Sequence, residues 1–256
     1  MIIMNNLTRR DFIQNSLGSL LTFSLVNSLC QAQAVSGSVR SIAHKWVFEM
    51  DQITRSLRDG KIRPGEWQLQ IESLLRRVDL KDLLRAIDYD RLSKVAAFPE
   101  DHESAEDVDF SKIKGLPAEL SFNPYFYAMK KGVAIVPHGH RNMTSMHMVI
   151  KGEAHGWQFD RIADEPDHLI IKPTKDVSLR PGDVSTISDE RDNIHWFKAT
   201  TEPVFMFNIG VFAVKPNESF TGRDYIDPTN GDKIEGGLIR ARRIDKDEAY
   251  SRYGKS

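Results

Sequence analysis

Four of the eight histidines in this 256-residue chain fall within one short window, at His138, His140, His147 and His155. Imidazole ligates transition metals and exchanges protons near neutral pH, so clustering of this kind points to site chemistry. In an extended strand alternate residues point to one side, and two residues span roughly 6.6 Å. His138 and His140 therefore project together and can grip one ion from one wall. His155 breaks that pattern and is read as lying outside the site, and His44, His102 and His168 are read as surface residues.

The frame around the pair is Gly132, five residues, His138-Gly139-His140, four residues, Ser145, six residues and Gly152. It resembles the first metal-binding motif of cupins, Gly-x5-His-x-His-x3-4-Glu-x6-Gly, with every spacing matched and Ser145 standing where the glutamate ligand is usual. The resemblance implies a third ligand, His195, which follows the Pro181-Gly182-Asp183 turn at the distance of the second cupin motif. Ser188 to Asn193 replaces the customary Pro-x-Gly there, and Ala199 sits where asparagine is common. Cupins that lack the glutamate and use three histidines are chiefly the thiol dioxygenases. The similarity to cysteine and cysteamine dioxygenases extends through Gln158-Phe159-Asp160 and Glu202-Pro203, covering roughly residues 124 to 214.

What this resemblance implies is a mainly β fold, a cupin jelly-roll barrel (double-stranded β-helix) with an N-terminal α-helical extension. It also implies one divalent transition metal on His138, His140 and His195, and an Fe(II)-dependent oxygenase acting on a small molecule with O2. Three neutral imidazoles with open coordination positions favour Fe(II) here but also suit Zn, Mn, Ni or Cu, because affinity alone does not choose. A Zn- or Mn-dependent lyase, isomerase or hydrolase and a non-catalytic ligand- or metal-binding cupin are the alternatives. His147 shares the direction of Ser145, as a fourth ligand, a donor behind the ligands, or a core histidine bonded to backbone. Ser145 and Asn208 are placed behind the ligands. The Ser-His-Tyr set of cysteine dioxygenases is missing, since Gly210 and Asn208 fall where its tyrosine and histidine would be. Lys130, Arg141, Arg161 and Arg191 are the candidates for a carboxylate-binding cation.

Around these residues the chain divides by texture. From 35 to 98 apolar residues recur at spacings of three and four (Ile42, Trp46, Val47, Met50; Trp67, Leu69, Ile71, Leu74, Leu75; Leu80, Leu83, Leu84), which predicts amphipathic packing helices with Asp79 as a cap. An acidic stretch opens a solvated connector over 99–115. Short strand-like runs over 116–214, from Tyr125–Met129 to Val204–Val214, predict the barrel, with Pro181-Gly182 at the centre of a type II turn. Trp157, Phe159, Trp196, Phe205 and Phe207 are read as core aromatics, and Glu190, Arg191 and Asp192 as a charged turn. Residues 215–256 read as a polar tail wrapping the barrel.

Residues 1–34 read as an address. Arg9-Arg10 precedes an apolar run from Leu17 to Leu29 and then Ala32-Gln33-Ala34, the order of a signal peptide with an A-x-A cleavage site. As a helix that run would span roughly 20 Å, short of the ~30 Å hydrocarbon core. The arginine pair resembles the twin-arginine signal, implying the twin-arginine export machinery as partner and a periplasmic or secreted destination. Cys30, the only cysteine, leaves with the leader unless it is lipidated, and without it no disulfide or cysteine site can form. A formal net charge of −1 calls for neither nucleic acid nor a membrane after cleavage. Substituting Arg9→Lys together with Arg10→Lys is expected to leave an uncleaved cytoplasmic precursor in cell fractions, whereas normal export would mean that another route carries the chain.

Overall fold

Two strands with opposite chemistry on their two faces organise the molecule. The computed structural model describes residues 42–255, so the leader, with Arg9, Arg10, Cys30, Ala32 and Ala34, lies outside the described residues. Strand β4 (Met143–Lys151) sends Met146, Met148 and Ile150 into an apolar cluster with the helices, while alternate residues Ser145 and His147 face the other way. Strand β9 (Val204–Phe212) repeats the pattern: Phe205, Phe207, Ile209 and Val211 join the helical cluster, and Asn208 lies opposite His147. This period of two sets one face against an apolar layer and leaves the other for chemistry.

The apolar layer is the helical extension: α1 (Ile42–Arg58), α2 (Pro64–Leu75), α3 (Leu80–Ala86) and α4 (Tyr89–Val95). Trp46, Met50, Trp67, Ile71, Leu74, Leu75 and Leu83 are buried, whereas Leu69 is exposed. Asp79 caps α3, its carboxylate accepting from the amides of Lys81 and Asp82, which satisfies two otherwise orphaned donors.

The remaining core strands are β2 (Asn123–Met129), β3 (Ala134–Arg141), β5 (Ala154–Asp164), β6 (His168–Leu179), β7 (Val184–Ile187) and β8 (Ile194–Ala199). All pairs are antiparallel, and β2-β9-β4-β7 faces β3-β8-β5-β6. Eight strands divided between two sheets in that order form a jelly roll. The fold is thus mainly β with an N-terminal helical extension.

Two regions differ from the sequence-based expectation. Within the acidic stretch, Ser104–Asp107 forms edge strand β1, paired with β2. The polar C-terminal region is not a tail lying over a finished barrel: β10 (Thr221–Ile234) and β11 (Leu238–Arg243) pair with β3 and β6 and close a six-stranded ring, and α5 (Lys246–Tyr253) follows. Phe159, Leu169, Ile171, Ile194, Ile226 and Ala241, from β5, β6, β8, β10 and β11, cluster together. Their apolar positions are diluted by charged residues that pair with one another, which hides the strands from a hydrophobicity reading.

Turn chemistry matters at two glycines. Gly182 has φ +100, as the third position of a type II turn requires, and an added Cβ there would meet nothing within 4 Å. Gly152 has φ +74, and its added Cβ would run into the Pro203 carbonyl and come within 2.8 Å of Thr201 Oγ1. Gly182→Ala is expected to cost about 1 kcal/mol from the backbone alone. Gly152→Ala should cost more, because neighbouring backbone must also move; denaturation midpoints of the two variants check the order.

Candidate metal centre

Strand register brings the histidines together. His138 on β3 and His195 on β8 are direct cross-strand partners, beyond an irregularity in the ladder between Ile135 and His138. Pro137 lies in that irregularity, where a missing N–H costs no ladder bond. Two residues on, His140 returns to the face of His138. The ring centroids lie 4.2 Å (138 to 195), 4.8 Å (138 to 140) and 5.6 Å (140 to 195) apart. One ligand atom from each of the three falls within 4.8 Å of the others. This group among the described residues contains no carboxylate.

Hydrogen bonds aim the rings. His138 Nδ1 lies 2.7 Å from the Val136 carbonyl oxygen, and His140 Nδ1 lies 3.1 Å from that of Gly222. A carbonyl only accepts, so each Nδ1 carries the proton and each Nε2 keeps its lone pair free for a metal. Burial, reinforced by neighbouring positive charge, drives the His138 and His195 pKa values well below the usual histidine range. The same causes lower His140 to about 4 and His147 to about 3. All four are therefore neutral at physiological pH, the form that binds metal. The donor set fits a divalent transition ion.

His147 approaches from the opposing sheet, its ring centroid 5.2 Å from that of His195 and stacked 6.0 Å from Tyr127. It lies outside the three-ligand group, and its buried Nδ1 has no hydrogen-bond partner. Asn208 Nδ2 donates to Ser145 Oγ at 3.3 Å and to the Met146 carbonyl at 2.7 Å, so these two residues engage each other beside His147. His155 is elsewhere, its Nε2 at 2.6 Å from Asp176 Oδ1. His44 differs from the surface expectation: it is buried at 2 % exposure, bonds the Gly115 carbonyl and stacks on Phe48. His102 is exposed and His168 partly so.

The cation nearest in effect to the cluster was not among the four sequence candidates. Lys130 pairs with Glu100, Arg141 and Arg161 with Asp164, and Arg191 with Glu72. Arg223, on β10, instead acts electrostatically on all four buried imidazoles. Its guanidinium donates to Glu103 and, at 2.6 Å, to the Tyr250 hydroxyl. Burial opposes its charge most strongly, but Glu103, Tyr250 and Tyr127 together outweigh it and its pKa is raised. No motif marks Arg223 in the sequence, because its proximity depends on the C-terminal hairpin joining the ring.

The segment read as a charged turn in solvent docks on the helices instead. Glu190 accepts from the Gly65 amide at 3.1 Å, and Arg191 donates to Glu72 at 2.8 Å. Buried Gln68 donates to the Arg191 carbonyl at 3.3 Å and accepts from Ser188 Oγ at 2.8 Å. The helical extension thereby holds the loop that leads into His195. Of the core aromatics, Phe205 and Phe207 pack under the helices, while Trp157 and Trp196 stack at 3.8 Å.

No protein-family model and no curated protein matches this chain. Solved structures do. A cupin superfamily protein from Desulfitobacterium hafniense is 15% identical, covering 46% of this chain and 84% of that one at a TM-score of 0.31. An oxalate oxidase is 18% identical (48% and 56%, TM-score 0.33), and KdgF from Halomonas sp. is 12% identical (42% and 76%, TM-score 0.31). These structural neighbours include cupins. The jelly-roll assignment rests on this chain's own strand order.

Four buried neutral histidines make metal-free stability depend on acid. Their folded pKa values lie below the unfolded value of about 6.5, so the unfolded chain takes up protons that the folded chain refuses. Stability is complete above about pH 6.5 and declines as pH falls toward about 4 for His140 and about 3 for His147. Each histidine adds up to ~1.4 kcal/mol per pH unit. Denaturant titrations of metal-free protein at pH 7.5 and 5.0 should show this loss, with a shallower slope in His147→Gln; equal stability at both pH values would contradict it.

Proposed function

We propose that this chain is an exported metal-binding cupin, and that it is an Fe(II)-dependent oxygenase of the three-histidine, thiol dioxygenase-like kind acting on a small molecule. The observation that carries this reading is the donor set: three buried neutral imidazoles with Ser145, rather than a carboxylate, in the usual glutamate position. When bound, Fe(II) on such a set supplies open positions at which a substrate and O2 can be brought together and developing charge stabilised.

The chain's own residues supply the rest. The Val136 and Gly222 carbonyls fix the tautomers of His138 and His140. His147 and Phe197 pack against His195, with Tyr127 stacked behind His147. Glu103 and Tyr250 hold Arg223 in place, and its field favours a substrate that carries negative charge, such as a carboxylate or thiolate. Export in the folded state by the twin-arginine route suits a protein that must take up its metal before leaving the cytoplasm.

The test is metal content and oxygen uptake of natively exported protein. Wild type should bind one equivalent of divalent metal, retain Fe(II) after anaerobic loading, and consume O2 with one or more members of a panel of small thiols. His138→Ala, His140→Ala and His195→Ala should each weaken metal binding by roughly a hundredfold or more and lower the melting temperature of the metal-loaded protein. His155→Ala should do neither. Stoichiometric Zn or Mn with no O2 uptake would favour the lyase, isomerase or hydrolase reading. Retention of metal by His195→Ala together with its loss in His147→Ala would replace His195 in the ligand set.

A further inference from the structure

The ladder between β3 and β10 is broken beside the metal centre. Thr221 pairs with Arg141 and Asp224 with Gly139, so His140 on β3 faces two residues of β10, Gly222 and Arg223. This is a β-bulge, a device that re-aims a side chain. Gly222 turns its carbonyl to His140 Nδ1 at 3.1 Å, while Arg223 reaches Glu103, the residue that leads into β1 of the other sheet. The guanidinium donates to Glu103 Oε1 at 2.5 Å and to the Tyr250 hydroxyl at 2.6 Å, and that hydroxyl donates to Glu103 Oε2 at 3.2 Å. The pair is mostly covered, the Glu103 side chain at 5% exposure and that of Arg223 at 25%. A buried ion pair gains little over apolar packing, so stability alone does not account for placing one across the ladder from a candidate ligand.

We propose that the Arg223–Glu103 pair sets the reduction potential of an iron ion held by His138, His140 and His195, with Arg223 acting through its charge and Glu103 positioning and offsetting that charge. This rests on the reading of the centre as an Fe(II) site. Fe(III) carries one more positive charge than Fe(II), so a nearby cation disfavours the oxidised ion and raises the potential, and a nearby anion does the opposite. The pair is oriented. Its positive end stands opposite His140 and acts on all four buried imidazoles, whereas its negative end joins from the other sheet. As built, it favours Fe(II), the form that meets O2. Oxidation passes one electron to an external oxidant and makes or breaks no bond in the pair. Neutralising Glu103 leaves the guanidinium unopposed and favours Fe(II) further; neutralising Arg223 favours Fe(III). A unit charge even ~10 Å from an ion, at an effective dielectric of about 20, shifts such an equilibrium about tenfold.

The experiment is a redox titration, with ferricyanide and dithionite, of natively exported protein loaded anaerobically with iron, followed by the high-spin ferric resonance in electron paramagnetic resonance. Glu103→Gln should raise the midpoint and Arg223→Gln should lower it, each by the equivalent of about tenfold in the equilibrium, which is about 59 mV for a one-electron couple. Arg223→Lys keeps the charge and should stay nearer to wild type than Arg223→Gln. A pair that only held β1, β10 and α5 together would move both neutral variants in one direction, since each loosens the same contact. Circular dichroism and iron stoichiometry identify a variant that has failed to fold; the sign of the shift in the other, set beside Arg223→Lys, then decides. One equivalent of iron with midpoints unmoved, or displaced to the same side, would overturn this proposal alone. Failure of the wild type to hold iron would overturn it together with the reading of the centre as an Fe(II) site.

Discussion

Burying several uncharged imidazoles between two β-sheets is the constraint on which the rest of the structure depends. Each ring must lose its water, place its N–H on an acceptor and leave a lone pair facing its neighbours. The Val136 and Gly222 carbonyls meet the second requirement for His138 and His140. The remaining donor atoms of His138, His140 and His195 converge to within 4.8 Å of one another, an arrangement that one cation could answer. A positive guanidinium nearby, Arg223, further disfavours protonation as the answer. Metal coordination would answer both conditions at once.

This demand explains the division of labour around the site. β4 and β9 turn Met, Phe and Ile toward the helices and Ser145, His147 and Asn208 inward, so the helical extension acts as the hydrophobic backing of the inner wall. It also reaches the opposite sheet through Gln68, whose hydrogen bonds pin the loop before His195. The C-terminal hairpin has a comparable dual role, closing the ring while carrying the Gly222 carbonyl and Arg223. Neither extension is separable from the centre that it surrounds.

The pairing of His138 with His140 was legible because strand parity is a local property, and Pro181-Gly182 because turn chemistry is local too. Trp46, Met50, Trp67 and Ile71 announced the helices by their spacing. His195 became a candidate through resemblance alone; its cross-strand pairing with His138 depends on how β3 and β8 align, which no short window encodes. Arg223, Glu103 and Tyr250 were missed for the same reason: they come from three separate parts of the chain, and two lie in a region whose charge made it look like a surface tail. His44 misled because a single polar residue on an amphipathic helix does not reveal whether a distant carbonyl, here that of Gly115, will receive it.

X-ray absorption at the metal edge of Fe(II)-loaded protein tests the central claim most directly, because imidazole rings give a multiple-scattering signature that carboxylates and water lack. A nitrogen and oxygen shell containing three imidazoles, one each from His138, His140 and His195, is expected, with the other positions open to water or substrate. A shell with fewer than three imidazoles, a fourth contributed by His147, or no specifically bound metal would contradict it.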